Sequence, residues 1–300
     1  MTRIWGKRGW GGSVADLAKL LERMPELPIG SRIYRPNADC PRGEQNQEKR
    51  MSRFAESVHE YWREALAGDE RHRSANLSLT LAPELDEDER VTVLHTVADA
   101  HTAVAVSPDV AAVLEDGGVR AAAAGEAALR EALVDAGITL HGADYLFYLP
   151  LTAAAALRSE PDAAHVRRLD PERTADVEAF AEFEEAAGPE DLDAGQVDLD
   201  DWAVYGAFDE GGRLLSVASA YPWGDSVLAD FGVITLPTGR GRGHARALTR
   251  ALARVAAAEG LELQYRCQLD NEASAGLARS AGLELFGRWE IPTPEESDDE

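Results

Sequence analysis

The sequence is short of lysine, of cysteine and of long apolar runs, and each shortage excludes something. Lys7, Lys19 and Lys49 are the only lysines, and every later base is arginine. A GxxxxGK[ST] phosphate loop is therefore ruled out for the rest of the chain. The two cysteines, Cys40 and Cys267, stand 227 positions apart. They form neither a CxxC motif nor a disulfide framework, which suits a reducing, cytoplasmic setting. No apolar stretch reaches the roughly 18 residues of a membrane helix. The uncharged run Tyr145–Leu157 is too short and contains Pro150. The basic opening MTRIWGKRGWGG lacks the apolar core of a secretory signal. The seven histidines show no HExxH or other ligand spacing, so no metal is expected.

What the chain has in excess is acid. With 54 Asp and Glu against 30 Lys and Arg, the net charge is −24, while 45% of residues are hydrophobic, enough for a core. Such a surface argues against nucleic acid and membranes as partners. Residues 1–50 run the other way, with ten bases and six acids, and read as a partly flexible extension with a helix at Val14–Met24 and a loop at Arg35–Gln47. Residues 51–158 read as a small α/β unit. Helical spacing marks Phe54, Val58 and Trp62, and helices are expected over Arg90–Ala100, Asp109–Glu115 and Glu126–Ala136; strands are expected at Asn76–Leu81, Thr102–Ser107 and Gly142–Pro150. The aromatic cluster Tyr145, Phe147 and Tyr148 reads as packing between units. The connector Arg158–Ala164 leads into residues 159–293, and the acid-rich stretch 294–300 reads as a solvated tail.

Residues 159–293 are more regular. A strand at His165–Leu169 precedes Asp170-Pro171-Glu172, which signals a helix start. That helix is expected to bury Val177, Phe180 and Phe183. After the acidic loop Gly188–Asp201, strands are expected over Trp202–Phe208, Leu214–Tyr221 and Val227–Thr235, the first two joined by the turn Asp209–Arg213. A long helix, Gly243–Glu259, ends at Gly260; strand Leu261–Gln268, helix Asn271–Ser280 and strand Leu283–Ile291 follow.

Chemistry concentrates at the entrance to the long helix, in Val233-Ile234-Thr235-Leu-Pro-Thr-Gly-Arg240-Gly241-Arg242-Gly243-His244-Ala245. An apolar strand runs through glycines and arginines straight into a helix N-terminus. Converging amides and the helix dipole make this an anion cradle. Arg240, Arg242, Arg246, Arg250 and Arg254 occur there without an intervening acid. The last three share a helix face, and for Arg250 and Arg254 a solvated face and an anion role are equally open readings. Neither GxGxxG register fits, because Gly239-x-Gly241 reaches His244 and Gly241-x-Gly243 reaches Arg246.

The pattern Q/R-x-x-G-x-G/A is met by Arg240, Gly243 and Ala245, and here the sequence resembles the GCN5-related N-acetyltransferases, the GNAT superfamily. Asn271-Glu-Ala-Ser274-Ala-Gly-Leu277, followed by Gly282, is similar to a second motif of that superfamily. The resemblance spans about Ala164–Ile291. It implies an α/β fold with a mixed, mainly antiparallel sheet, preceded by a smaller α/β domain that can be a degenerate repeat, as in tandem members. It implies acetyl-CoA as co-substrate, with Val233, Ile234 and Thr235 along the pantetheine, and with Arg240, Gly241, Arg242, Gly243, His244 and Ala245 at the pyrophosphate. Asn271 would lie beside the CoA arm. The implied reaction is acetyl transfer to a primary amine of a small molecule or protein.

Two positions depart from the superfamily. Its usual tyrosine acid is Ala278 here, and its glutamate base falls at Ala229. The neighbouring Asp230 is the candidate base, although strand alternation turns it to the opposite face, toward solvent unless a bulge intervenes. Asp200 and Asp201 are alternatives. Tyr265 and Cys267 share a face of one strand and read as core. These departures keep open a second reading, a non-catalytic acyl-CoA-binding or protein-interaction module. The superfamily sheet also needs one strand more than this region supplies, and Asp144–Leu149 is the candidate donor.

Overall fold

The computed structural model describes residues 52–293. The extension with its helix at Val14–Met24 and loop at Arg35–Gln47, Cys40 and the acidic tail lie outside the described residues. In chain order the first elements are α1 (Glu56–Ala65), β1 (Asp69–Arg73), β2 (Leu77–Leu81), β3 (Val91–Thr96), β4 (Thr102–Val106), α2 (Pro108–Ala124), α3 (Glu126–Asp135), β5 (Asp144–Tyr148) and α4 (Leu151–Leu157). Then come β6 (Val166–Arg168), α5 (Thr174–Ala187), α6 (Pro189–Gly195), β7 (Ala203–Phe208), β8 (Leu214–Pro222) and β9 (Leu228–Thr235). The chain closes with α7 (His244–Ala258), β10 (Glu262–Gln268), α8 (Glu272–Ala281) and β11 (Glu284–Glu290).

The eleven strands of the described residues join one sheet, ordered β1-β2-β4-β3-β11-β5-β10-β9-β8-β7-β6. Only the pairs β2–β4 and β9–β10 are parallel. The expected mixed, mainly antiparallel α/β fold is therefore present. The expected strand donor is also found, because β5 sits between β10 and β11 and runs antiparallel to both. The sheet is thus continuous across the 158/159 boundary read from the sequence.

Burial on both faces explains why β5 lacks alternation. Phe147 packs with α7 and α8 on one face, while Leu146 and Tyr148 pack under α1 on the other. Tyr148 also accepts a hydrogen bond from Trp62 Nε1 at 2.9 Å and donates to Gln264. The aromatic cluster thus serves packing between the two ends of the chain. The α5 and α6 helices cover the same face as α1, farther along the sheet, against Val217 and Ile234.

Four local expectations are corrected. Arg90–Ala100 is not a helix; Val91–Thr96 forms β3, paired with β4 and β11. Val91, Leu94 and Val97 imitate helical spacing, but the β-branched run favours a strand once both neighbours are in place. The α5 helix begins at Thr174 rather than at Asp170, because Asp170 folds a turn on itself, accepting the Glu172 amide at 2.9 Å. Val177 is 42% exposed, and Asp176 takes the inward position, accepting hydrogen bonds from Nη1 and Nη2 of Arg167. The acidic segment Gly188–Asp201 is not all loop, since it contains α6.

Candidate active site

The sheet places the glycine-rich turn at the end of β9. A short 3-10 turn, Pro237–Gly239, precedes α7, and Gly241 and Gly243 lie at φ +74° and +81°. An L side chain resists these left-handed values by roughly 1–2 kcal/mol. Among the described residues nothing accepts a hydrogen bond from the amides of Gly241 through Arg246; the first helical bond runs from the Ala247 amide to the Gly243 carbonyl at 3.0 Å. Six consecutive donors at the positive end of a helix form a strong anion-binding surface. Arg240 sits at its rim, donating to the Thr235 carbonyl at 3.1 Å and to Asp191 of α6 at 3.3 Å. Both partners of that ion pair are exposed, so it holds Arg240 only weakly.

His244, the first helical residue, is 8% exposed and packs edge-on against His165, with ring centroids 5.0 Å apart. Neither ring nitrogen has a hydrogen-bond partner. Burial, followed by the charges of His165 and Arg242, pushes its pKa below the ordinary histidine value. Arg242 and His244 face an open depression of about 990 Å³ against His165, Arg167 and the β7–β8 turn.

Beside the turn, β9 and β10 separate. Their parallel pairing covers Leu228, Ala229 and Asp230 opposite Glu262, Leu263 and Gln264, and no register pair follows. The opening forms a cleft of about 180 Å³ reached by Asp230, Phe231, Val233, Tyr265, Cys267 and Asn271. The Trp223 amide bonds the Leu228 carbonyl, and the Leu236 amide bonds the Leu215 carbonyl. Even-numbered residues of β9 therefore bond toward β8, and alternation turns the amides of Val233 and Thr235 toward the opening and that of Ile234 away. The α6 helix closes in on one side so tightly that a Cβ on Gly232 would lie 1.8 Å from the Gly195 carbonyl oxygen.

Asp230 does not face solvent. It is 3% exposed, and its Oδ2 accepts from Tyr221 Oη at 3.0 Å and from Arg266 Nε and Nη2 at 3.0 and 2.7 Å. No bulge is needed, because the other face of β9 is itself covered. The Arg266 guanidinium stacks 4.3 Å from the Trp223 ring and 5.5 Å from that of Trp289. A second carboxylate, Asp144 of β5, stands 4.0 Å from Arg266 Nη1 in the same cleft. Arg266, Tyr221, Gln264 and Asp144 escaped the sequence reading. An arginine in the middle of a strand, between Tyr265 and Cys267, was the available signal, since such a charge must find a partner.

The remaining candidates divide. Asn271 caps α8, its Oδ1 accepting the Ser274 amide at 3.0 Å, and it reaches the cleft. Ala278 and Ala229 are fully buried in the core below α7 and α8. Asp200 and Asp201 do not reach the cleft, and Asp201 accepts from Ser219 at 2.5 Å. Tyr265 stacks on Phe231 at 4.6 Å, a core contact that also forms the cleft wall. Cys267 is buried, and its thiol is pushed up to about 12 by that burial and by Asp144. Arg250 and Arg254 form neither a solvated face nor part of the turn: they bind Glu160 and Asp162 of the connector, and Arg250 also donates to the Ala281 carbonyl at 2.8 Å.

Residues 172–283 match the model of the acetyltransferase (GNAT) family. Among solved structures, the chain is similar to a putative GNAT-family acetyltransferase from Novosphingobium aromaticivorans, with 21% identity and TM-score 0.37, covering 52% of this chain and 64% of that one. It is similar to a GNAT-family acetyltransferase from Colwellia psychrerythraea, with 19% identity and TM-score 0.38, covering 52% and 57%. A ribosomal-protein-alanine N-acetyltransferase from Brucella melitensis is covered over 98% of its length by 42% of this chain, with 22% identity and TM-score 0.32. The chain thus spans less than two thirds of the first two structures. No curated protein matches it.

Proposed function

Taking residues 172–283 as a domain of the GNAT acetyltransferase family, we propose that the protein moves an acetyl group from acetyl-CoA to a primary amine. The observation that carries this reading is the run of six uncommitted amides from Gly241 to Arg246 beside a strand edge left open at Val233 and Thr235. The donors suit a pyrophosphate, and Arg240, Arg242 and Arg246 add positive charge around them. The open edge suits the amide-bearing arm of the donor, which would take strand-like hydrogen bonds there. Acetyl-CoA supplies an acyl group activated as a thioester. The chain's own part is to fix that carbonyl against the amides of β9, dipoles already oriented for a developing oxyanion. It must also hold an amine in line with the carbonyl, and positioning of this kind supplies much of the rate in such transfers.

Asp230 favours a second reading. Its carboxylate is already occupied by Arg266 and Tyr221, and Ala278 brings no hydroxyl, which is what a non-catalytic acyl-CoA-binding module would show. Titration calorimetry with acetyl-CoA tests the shared premise: binding is expected, and none at millimolar ligand refutes both readings. Release of CoA thiol on addition of amines then separates them. Release marks the enzyme, and binding without release marks the module.

A further inference from the structure

On the acetyl-transfer reading, we propose that Asp144 receives the acceptor's ammonium group and takes its proton. Asp144 and Asp230 stand in one cleft beside one arginine, yet their surroundings differ. Asp230 Oδ2 takes three hydrogen bonds, two of them from Arg266. No donor among the described residues hydrogen-bonds the Asp144 carboxylate, although the residue is only 8% exposed. Its nearest cation, Arg266 Nη1, is 4.0 Å away, and the Nε and Nη2 of that fork are engaged by Asp230. A buried carboxylate lacking hydrogen-bond donors and lining a cleft is suited to a ligand that brings N–H groups. A primary ammonium brings three.

Position supports the same role. Asp144 pairs with Gln268 on β10 and with Trp289 on β11, so it lies on the edge of the cleft across from the open edge of β9. The charged and titratable groups around it are Arg266, Cys267 and Tyr265 of β10, Asp230 of β9, Tyr221 of β8, Asp193 of α6 and His141 just before β5. Burial pushes the Asp144 carboxyl above its ordinary value, against the opposing effect of Arg266 and His141, which makes the carboxylate a better proton acceptor.

The step balances without a further reactant. One ammonium N–H proton passes to the Asp144 carboxylate, and the freed nitrogen lone pair forms the C–N bond to the acyl carbon. The C–S bond breaks and sulfur leaves with its electron pair. A second N–H proton reaches that sulfur through solvent to give the thiol, and Asp144 returns its own proton to solvent. The net change is ammonium plus thioester to amide, thiol and one proton.

The full chain is assayed for CoA thiol release from acetyl-CoA with spermidine, kanamycin and a lysine-bearing peptide as acceptors. Asp144→Asn is expected to lower kcat by about 10²- to 10⁴-fold and to remove the acidic limb of the pH profile. Acetyl-CoA affinity by calorimetry should stay within about threefold and the melting temperature should not fall, and Asp144→Glu should recover part of the rate. Turnover of Asp144→Asn within about threefold of wild type, with its acidic limb intact, overturns the assignment of Asp144 alone. A wild type that binds acetyl-CoA but acetylates none of the three amines overturns amine transfer itself, and this assignment with it. Should Asp144→Asn fail to fold, the wild-type acidic limb decides: an apparent pKa at or below the ordinary aspartate value of 3.8 overturns the proposal, and a higher one supports it.

Discussion

Replacing Arg266 by methionine keeps much of its volume between Trp223 and Trp289 but removes the cation that, among the described residues, pairs with Asp230. Both partners are buried, with side-chain exposures of 11% for Arg266 and 4% for Asp230, so the carboxylate cannot turn to water. Among the described residues it would keep Tyr221 at 3.0 Å and a long contact from Gln264 at 3.4 Å. Orphaning a buried charge in this way costs about 3–5 kcal/mol. For a chain of this size, 1 kcal/mol moves the melting temperature by roughly 2–4 °C, so a drop of about 6–20 °C is expected. Asp230→Asn should cost less, because Arg266 would retain two indole rings and Asp144. The double variant removes the orphaned charge and should melt well above Arg266→Met, giving a coupling of about 1–3 kcal/mol in a double-mutant cycle. Calorimetric melting of the four proteins at neutral pH measures this. A single Arg266→Met variant within 2 °C of wild type, or losses that simply add, would refute the account of the pair.

Arg240→Ala and Gly243→Ala should each weaken acetyl-CoA binding at least tenfold by calorimetry, while Arg254→Ala, whose side chain is held by Asp162, should leave it within about twofold. Gly232→Ala must push α6 off β9, because its new methyl would meet the Gly195 carbonyl oxygen; a loss of about 2–4 kcal/mol in denaturant unfolding is expected. The Arg167 guanidinium holds Asp176 below the ordinary carboxylate value of 3.8, so their bond stabilises the fold above that pH and is lost as pH falls through the lower folded value. Asp176→Asn should therefore be less stable than wild type by about 1–2 kcal/mol at pH 7, a gap that thermal melts should show closing only below pH 3.8.

The parts of the fold that were legible in the sequence are those with local causes. Gly243, Gly260, Gly282 and Asn271 end or begin helices where their backbones require it, and the β7–β8 turn carries its own glycines. The turn at Arg240–Ala245 was legible for the same reason, since its left-handed glycines act within a few residues. Elements decided by distant neighbours were not. The β3 strand is a strand because β4 and β11 flank it, and 188 positions separate Thr96 from the start of β11 at Glu284. The Asp230–Arg266 pair depends on two strands coming into register, so neither residue alone announced the other. Asp144 carries no local signal of a site, because its aromatic, β-prone neighbours mark the segment only as a strand, and its place in the cleft depends on β10 and β11.

The insertion of β5 between β10 and β11 sets a timetable for synthesis. Tyr148 leaves the ribosome 114 residues before Glu262, the first residue of β10. At about 5–20 residues per second, β5 must wait roughly 6–23 s with neither flanking strand yet made. During that interval its apolar residues, Leu146, Phe147 and Tyr148, have no β10 or β11 to cover them, and α1 can shield only one face. The first half of the chain therefore cannot finish folding before the second is made. A chain released early would expose two bare edges in the middle of the sheet, the surfaces most prone to join a neighbouring molecule.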